Sequence, residues 1–165
     1  MRLDVSFHLL DRIWIHTEAR RKAPTSIGRR TQPAIHVPAH AFHVGRPSQM
    51  ISSTGAIRGH AGMSAYQATK AALPGLCRSL TAELGPLGIR INTILPGWID
   101  TPFNDPFWQY QHNPDQRREE IERQIPLRRQ GQPDEVSSMV LFLASPVGRY
   151  IAGSSIVIDG GYTAV

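Results

Sequence analysis

The chain has 165 residues, of which 41% are hydrophobic and 19% charged, values typical of one globular domain. No run of about 18 apolar residues occurs, which excludes a transmembrane helix, and the N-terminus has no apolar segment of signal-peptide length. The formal net charge is +5, and residues 1–50 hold all of it, because residues 51–165 have 10 basic and 10 acidic side chains.

Cys77 is the only cysteine, so an internal disulfide is excluded and the fold is expected to depend on its hydrophobic core. Cysteine used in this way is typical of a reducing compartment, and we expect a cytoplasmic protein without a membrane partner. Because Cys77 falls within a helical pattern, we interpret it as a small buried hydrophobe.

Residues 1–49 are predicted to form an irregular basic segment. Its polar stretch is interrupted by Pro24, Pro33, Pro38 and Pro47. The basic clusters at residues 20–22 and 29–30 have no aromatic residues close by and no surrounding binding motif, which favours a solvated arm over a nucleic-acid site.

Three histidines in this segment raise the question of a metal site. His36, His40 and His43 have a spacing that would place three imidazoles on one helical face, but Pro38 between them opposes the helix. We therefore predict no metal site.

A long helix is predicted over Ser64–Leu84. Ser64 and Gln67 form the pattern of a capping box, and Gly85 with Pro86 ends the helix. The predicted buried face consists of Ala65, Ala68, Ala72, Leu73, Leu76, Leu80 and Leu84. Pro74 lies inside this helix and leaves the carbonyl of Lys70 without its usual donor, which predicts a kink or a bound water one turn after Lys70.

The rest of the chain alternates short apolar strands with helices. Residues 89–95 are Ile-rich and bounded by glycine and proline, which indicates a buried strand. Residues 98–114 gather five aromatic side chains among Pro, Asn and Asp, a composition that suits an apolar lid. Helices are predicted at residues 115–124 and Pro133–Ala144, and a last strand at Ser155–Ile158, so the pattern predicts a parallel α/β sheet.

Tyr66 and Lys70 are the first residues that indicate chemistry. Four residues apart on a helix, they lie on one face and can address the same ligand. An ammonium beside a phenol favours the phenolate, so the group can accept a proton as phenolate and donate it as phenol near neutral pH. The spacing alone is weak evidence, because an exposed Tyr–Lys pair arises by chance in many helices.

The surrounding sequence resembles the short-chain dehydrogenase/reductase family. The matching residues in the first part are Ile51, Ser52, Ser53, Gly59 and residues 64–73, 89–92 and 96–101. Those in the last part are residues 126–127, Arg129, Gly131, Pro133 and residues 135–136, 142–145, 151–153 and 159–161. The resemblance covers residues 50–165, in the family's order and spacing, and implies a truncated Rossmann-like parallel sheet with flanking helices.

The resemblance also implies a role for individual residues. Ser53 would hydrogen-bond the substrate oxygen, Tyr66 would be the acid/base, and Lys70 would stabilise the phenolate and hold the nicotinamide ribose. The segment that would hold the nicotinamide carboxamide and the adjacent phosphate contains Pro96, Gly97, Ile99 and Thr101.

Part of the family pattern has no counterpart in the chain. The glycine-rich turn that receives the cofactor pyrophosphate is missing, and no residue can be named that would select NAD or NADP. The family's relay asparagine is also missing, because the first asparagine of the chain is Asn92. Residues 45–49, polar where an apolar strand is expected, lie in a segment that is either a divergent arm or the product of a coding accident.

The implied activity is that of an NAD- or NADP-dependent oxidoreductase that interconverts a small-molecule secondary alcohol and a ketone by hydride transfer. The alternative is a truncated, catalytically silent relative that acts through protein contacts. The resemblance also implies self-association into a homo-oligomer, because members of the family usually pair through the helix that carries the Tyr and Lys. That helix has small residues here, Ala68, Ala71, Ala72 and Gly75, which allow close approach. An unpaired sheet edge beside the Ser53 strand would add to the self-association.

Overall fold

The computed structural model describes residues 47–165, in which three parallel strands form the centre. They are β1 (Ser48–Ile51), β2 (Ile91–Pro96) and β3 (Ser155–Ile158), in the spatial order β1-β2-β3. The central strand β2 is buried from Ile91 to Leu95, as expected of a parallel strand that is covered on both faces. The α/β class and the Rossmann-like parallel sheet predicted from the sequence are confirmed.

Within the part of the chain that the structure describes, four helices surround the sheet. They are α1 (Ser64–Leu84), α2 (Asp105–Gln109), α3 (Pro114–Gln124) and α4 (Pro133–Ala144). The bounds of α1, α4 and β3 agree with the prediction, and α3 begins one residue earlier than predicted. Strand β2 was predicted at residues 89–95 and is observed at Ile91–Pro96. No helix among the described residues is both long enough and apolar enough to span a membrane.

The first strand corrects an expectation. The polar residues Ser48 and Gln49 do not interrupt the strand that leads to Ser53; both belong to β1. The backbone explains this, because the Ser48 amide donates to the Arg90 carbonyl and the Ser52 amide to the Ile94 carbonyl, each at 2.8 Å. Residues 1–46, with both basic clusters, the three histidines and most of the predicted irregular segment, lie outside the described residues.

The predicted buried face of α1 is correct only in its second half. Leu80 and Leu84 are buried together with Cys77, as the interpretation of that cysteine required. The alanines of the first half are exposed, namely Ala65, Ala68 and Ala72. The inward side of this first half carries Tyr66, Gln67 and Lys70 instead. The orientation of α1 is set in its second half by contacts with β2, where Thr81 Oγ1 donates to the Ile91 carbonyl at 3.3 Å.

The predicted capping box at the start of α1 is wrong. Met63 is the N-cap residue, and no side chain caps the helix. The Gln67 side chain donates to the carbonyl of Arg58 at 3.1 Å, so it fixes the preceding loop instead of the first turn.

The aromatic segment after β2 contributes side chains to a buried hydrophobic cluster. Trp108 packs with Ile121, Ile125 and Tyr162, and Trp98 and Phe107 lie against this cluster. Phe103 and Tyr110 of the same segment are 70% and 88% exposed. The segment predicted as an apolar lid is therefore anchored by its buried aromatic residues and exposes two others.

The carboxylate of Glu135 at the start of α4 is paired with an arginine, which makes the folding stability depend on pH in the acid range. Arg129 holds Glu135 with two contacts of 2.7 Å, and the Gln132 amide donates to the same carboxylate. The Arg129 hydrogen bond, followed by that of Gln132, lowers the pKa of Glu135 from 4.5 to about 2. The stabilisation is thus complete above the unfolded-state value and is lost as the pH falls from 4.5 towards 2.

We expect Glu135→Gln to reduce the loss of thermal stability between pH 4.5 and pH 2. Thermal unfolding followed by circular dichroism over this range measures it. Glu119→Gln removes a carboxylate from the exposed Arg123–Glu119 pair and is the matched control. Equal acid profiles for Glu135→Gln and the unmodified chain would contradict this account.

Candidate active site

The residues singled out in the sequence lie at one edge of the sheet. Ser53 lies two residues after the end of β1, and Gly97 follows the last residue of β2. The two strands are parallel neighbours, so both segments leave the sheet at its carboxyl end. Ligands of open α/β sheets bind outside this end.

Within residues 47–165, the Ser53 hydroxyl acts only as a hydrogen-bond acceptor. Its Oγ accepts a hydrogen bond of 3.0 Å from the Gly55 amide and so caps the one-turn helix Thr54–Ala56. Ser53 therefore does cap a turn, which is the ordinary structural role of a serine considered without the family resemblance. Because the cap uses Oγ as an acceptor, the hydroxyl proton can still be donated to a ligand.

Ser53 and Tyr66 meet at Gly55. A Cβ placed on Gly55 would lie 3.4 Å from Ser53 Oγ and 3.5 Å from Cε1 of the Tyr66 ring. Both side chains are half-buried. The loop between β1 and α1 thus brings together a hydroxyl and a phenol that are thirteen positions apart in the sequence.

Lys70 lies one helical turn after Tyr66 on the inward side of α1. Its Nζ is 5.8 Å from the centroid of the Tyr66 ring and donates to the Ile51 carbonyl at 3.0 Å. Ser48 and Ser52 direct their amides to β2, so the alternation of a parallel strand turns the Ile51 carbonyl to the other edge of β1. Burial lowers the pKa of the Lys70 ammonium.

Ser52 is a positioning residue that the sequence did not reveal. The Lys70 carbonyl, which Pro74 leaves without its usual helix donor, accepts from the Ser52 hydroxyl at 2.8 Å, and a kink at Pro74 stays a prediction. The strand end thereby holds the lysine twice, since Ser52 binds its carbonyl and Ile51 accepts from its ammonium. A free helix carbonyl beside a serine-rich strand end was the available signal.

Replacement of Ser52 by alanine should lower the free energy of unfolding by about 1–2 kcal/mol, because the partly buried Lys70 carbonyl then lacks its donor. Ser52 is 3% exposed. Urea unfolding is the measurement, and Ser79→Ala on the exposed side of α1 is the control. Equal losses in both variants would show that the Ser52 hydrogen bond contributes nothing.

The segment after β2 is shaped mainly by packing. A Cβ on Gly97 would lie 2.7 Å from Cβ and 2.9 Å from Cα of Asp159. Ile99 forms a parallel bridge with Gly131, and its carbonyl accepts from the Asn104 side chain at 2.6 Å. Thr101 has an extended backbone and precedes the one-turn helix Pro102–Asn104.

A second group of side chains, which sequence reasoning missed, lies beside the Ser53 loop. His60 stacks on Tyr162 with ring centroids 5.9 Å apart and meets the edge of Trp98 at 6.5 Å. Burial, followed by the charges of Arg58 and Arg117, lowers the pKa of His60. No local pattern marks this group, because Tyr162 is 102 positions from His60.

Residues 44–163 match the family model described as enoyl-(acyl carrier protein) reductase. The fold is similar to that of a short chain dehydrogenase family protein from Francisella tularensis subsp. tularensis SCHU S4. The TM-score is 0.71, with 31% identity, over 74% of this chain and 52% of that one.

Two curated relatives extend the comparison. L-rhamnose 1-dehydrogenase (NAD(P)(+)) of Azotobacter vinelandii is 40% identical over 111 residues, 67% of this chain and 42% of that protein. The cyclic-di-GMP-binding biofilm dispersal mediator protein of Escherichia coli (strain K12) is 36% identical over 164 aligned positions, 92% of this chain and 65% of that protein. The chain thus spans less than half the length of the first relative and about two thirds of the second.

Proposed function

Because the chain belongs to the short-chain dehydrogenase/reductase family, we propose that residues 47–165 carry the catalytic groups of an NAD- or NADP-dependent oxidoreductase. The reaction would interconvert a secondary alcohol and a ketone. The observation that carries the proposal is the meeting of Ser53 Oγ and the Tyr66 ring at Gly55, with Lys70 one turn further on the same helix face.

In the direction of alcohol oxidation, the Tyr66 phenolate accepts the hydroxyl proton of the substrate. The Ser53 hydroxyl donates a hydrogen bond to the same oxygen and orients it. The Lys70 ammonium, held by the Ile51 carbonyl, stabilises the phenolate by its charge. In the reverse direction Tyr66 returns the proton to the carbonyl oxygen as the alcohol forms.

The nicotinamide of the bound cofactor would accept or supply the hydride. Lys70 fits its ribose, because this half-buried ammonium uses one donor on Ile51 and retains two others. Pro96, Ile99 and Thr101, at the carboxyl end of β2, would hold the carboxamide and the adjacent phosphate. Gly97 fits less well, because the space of its missing side chain is filled by Asp159.

Turnover measured with and without a separately supplied nucleotide-binding half tests the proposal. The full chain is assayed for change in reduced-nicotinamide absorbance with a panel of secondary alcohols and ketones, alone and mixed with the N-terminal half of the L-rhamnose dehydrogenase relative. Turnover by the chain alone or by the mixture (the complemented assay) supports the oxidoreductase, provided that the N-terminal half of the relative shows none by itself. Absence of turnover in both, with a folded chain, supports the silent relative.

We also propose a homo-oligomer formed through α1. Ala65, Ala68, Ala71 and Ala72 are exposed, a small-residue face that allows a second helix to approach closely. Light scattering is expected to give a mass above 18.3 kDa for the full chain, and Ala68→Glu is expected to lower it. A mass of 18.3 kDa for the unmodified chain would contradict the proposal.

A further inference from the structure

The loop between Ser53 and α1 holds a half-buried arginine in a fixed position. The Arg58 amide donates to the Thr54 carbonyl at 2.9 Å, and the Arg58 carbonyl accepts from Gln67 at 3.1 Å. Gln67 adjoins Tyr66 on α1. The backbone of Arg58 is therefore tied on one side to the turn that Ser53 caps and on the other to the helix of the acid/base.

The Arg58 guanidinium has donors to spare. Its carbon lies 3.9 Å from the centroid of the Tyr162 ring, and Nη1 donates to the Tyr162 carbonyl. Among residues 47–165 it forms no salt bridge, whereas Arg117 and Arg118 of α3 each have a carboxylate partner. A guanidinium carries five N–H donors, and among residues 47–165 only one of them has an acceptor, so four are unused within this part of the chain.

The side chains beside Arg58 are aromatic. Tyr162 is 2% exposed, and His60 and Trp98 are half-buried beside it. Burial, followed by the charges of Arg58 and Arg117, lowers the pKa of His60, which favours the neutral imidazole. Trp98 follows Gly97 directly, which places this wall next to the segment at the carboxyl end of β2.

We propose that Arg58 binds the carboxylate of the substrate, and that the substrate is a small hydroxy or keto acid. This inference rests on the proposed function, because the reacting oxygen is taken to lie between Ser53 and Tyr66. A guanidinium matches a carboxylate with two parallel hydrogen bonds, which gives both charge and orientation. The ring of His60 and the indole of Trp98 then contact the carbon skeleton between the two ends.

Calorimetric titration of the full chain with three keto acids tests the inference in the absence of turnover. The ligands are 2-oxobutanoate, acetoacetate and levulinate, in which the carbonyl and the carboxylate are progressively further apart, together with their methyl esters and inorganic phosphate. We expect at least one acid to bind about tenfold or more tightly than its ester, the range of a charge-assisted hydrogen bond. Equal affinities for every acid and its ester would overturn the inference, as would phosphate binding as tightly as the best acid.

Two variants assign the preference to one residue. Arg58→Gln is expected to bring the affinity for the acid down to that for the ester and to leave the ester unchanged. Arg149→Gln, an exposed arginine that precedes β3 at the opposite end of the sheet, removes the same charge and should keep the preference. If Arg58→Gln does not fold, the comparison of acids with esters on the unmodified chain decides.

The outcomes separate this inference from the proposed function. Acid-selective binding without any hydride transfer in the complemented assay would contradict the oxidoreductase and leave Arg58 as an anion site. Turnover of neutral ketones with no preference for acids would contradict the inference and leave the oxidoreductase in place.

Discussion

Replacement of Tyr66 by phenylalanine is expected to reduce turnover by about 10²- to 10⁴-fold, the contribution typical of a positioned acid/base. The phenol ring is on the inward side of α1, and its Cε1 is 3.5 Å from the point that a Cβ on Gly55 would occupy, a point 3.4 Å from Ser53 Oγ. Phenylalanine preserves this ring and removes only the hydroxyl, so the loss would report proton transfer and not packing. Initial rates in the complemented assay are the measurement.

Tyr150→Phe is the matched control for that experiment. Tyr150 is fully exposed and lies between α4 and β3, away from the carboxyl end of the sheet. The Tyr150→Phe variant also loses one tyrosine hydroxyl, and its turnover rate should equal that of the unmodified chain. If Tyr66→Phe also retained that rate, another group would supply the proton and the assignment of the acid/base would fail.

Regular elements were predictable where a single period of the sequence decides burial. The helix α4 has Val136, Met139, Val140 and Leu143 on its inward side, as the 3.6-residue spacing predicts. In α1 the same reasoning was wrong for Ala65, Ala68 and Ala72, because alanine is tolerated on either face of a helix. The inward side of that half is defined by Tyr66 and Lys70, whose burial follows from their position above the end of β1.

The hydrogen bonds that position the site could not be predicted, because they join residues far apart in sequence. Ser52 and Lys70 are 18 positions apart, and Arg58 and Tyr162 are 104 apart. Spacing rules describe neighbours on one helix or strand and cannot identify such pairs. The capping box failed for the same reason, since Gln67 found a tertiary partner in the Arg58 carbonyl.

Strand β1 shows where composition misleads. Ser48 and Gln49 are polar, yet they pair with Ile91 and Asn92 of β2 in a regular parallel register. A strand that pairs with a fully buried neighbour can be specified by backbone hydrogen bonds to that neighbour. In β1, Met50 is the one side chain of the strand that is buried, at 5% exposure. The resemblance to the family was more informative at this position than the apolar pattern was.

Gly97→Ala is expected to lower the free energy of unfolding by about 1–3 kcal/mol in the absence of any cofactor. The new methyl group would lie 2.7 Å from Cβ and 2.9 Å from Cα of Asp159, so the backbone must shift. Asp159 cannot move freely, because its carboxylate accepts from the amides of Gly161 and Thr163, each at 2.8 Å. Urea unfolding of the chain alone measures the loss.

Gly59→Ala provides the control, because a Cβ there meets nothing within 4 Å and Gly59 is not in the left-handed region. A change at Gly97 equal to that at Gly59 would show that the close approach to Asp159 has no energetic consequence. The family resemblance assigns Gly97 to the cofactor, whereas the distances assign it to the contact between the ends of β2 and β3. A loss of stability without cofactor means that any effect of Gly97→Ala on cofactor affinity must be compared at equal fractions of folded protein before it is credited to binding.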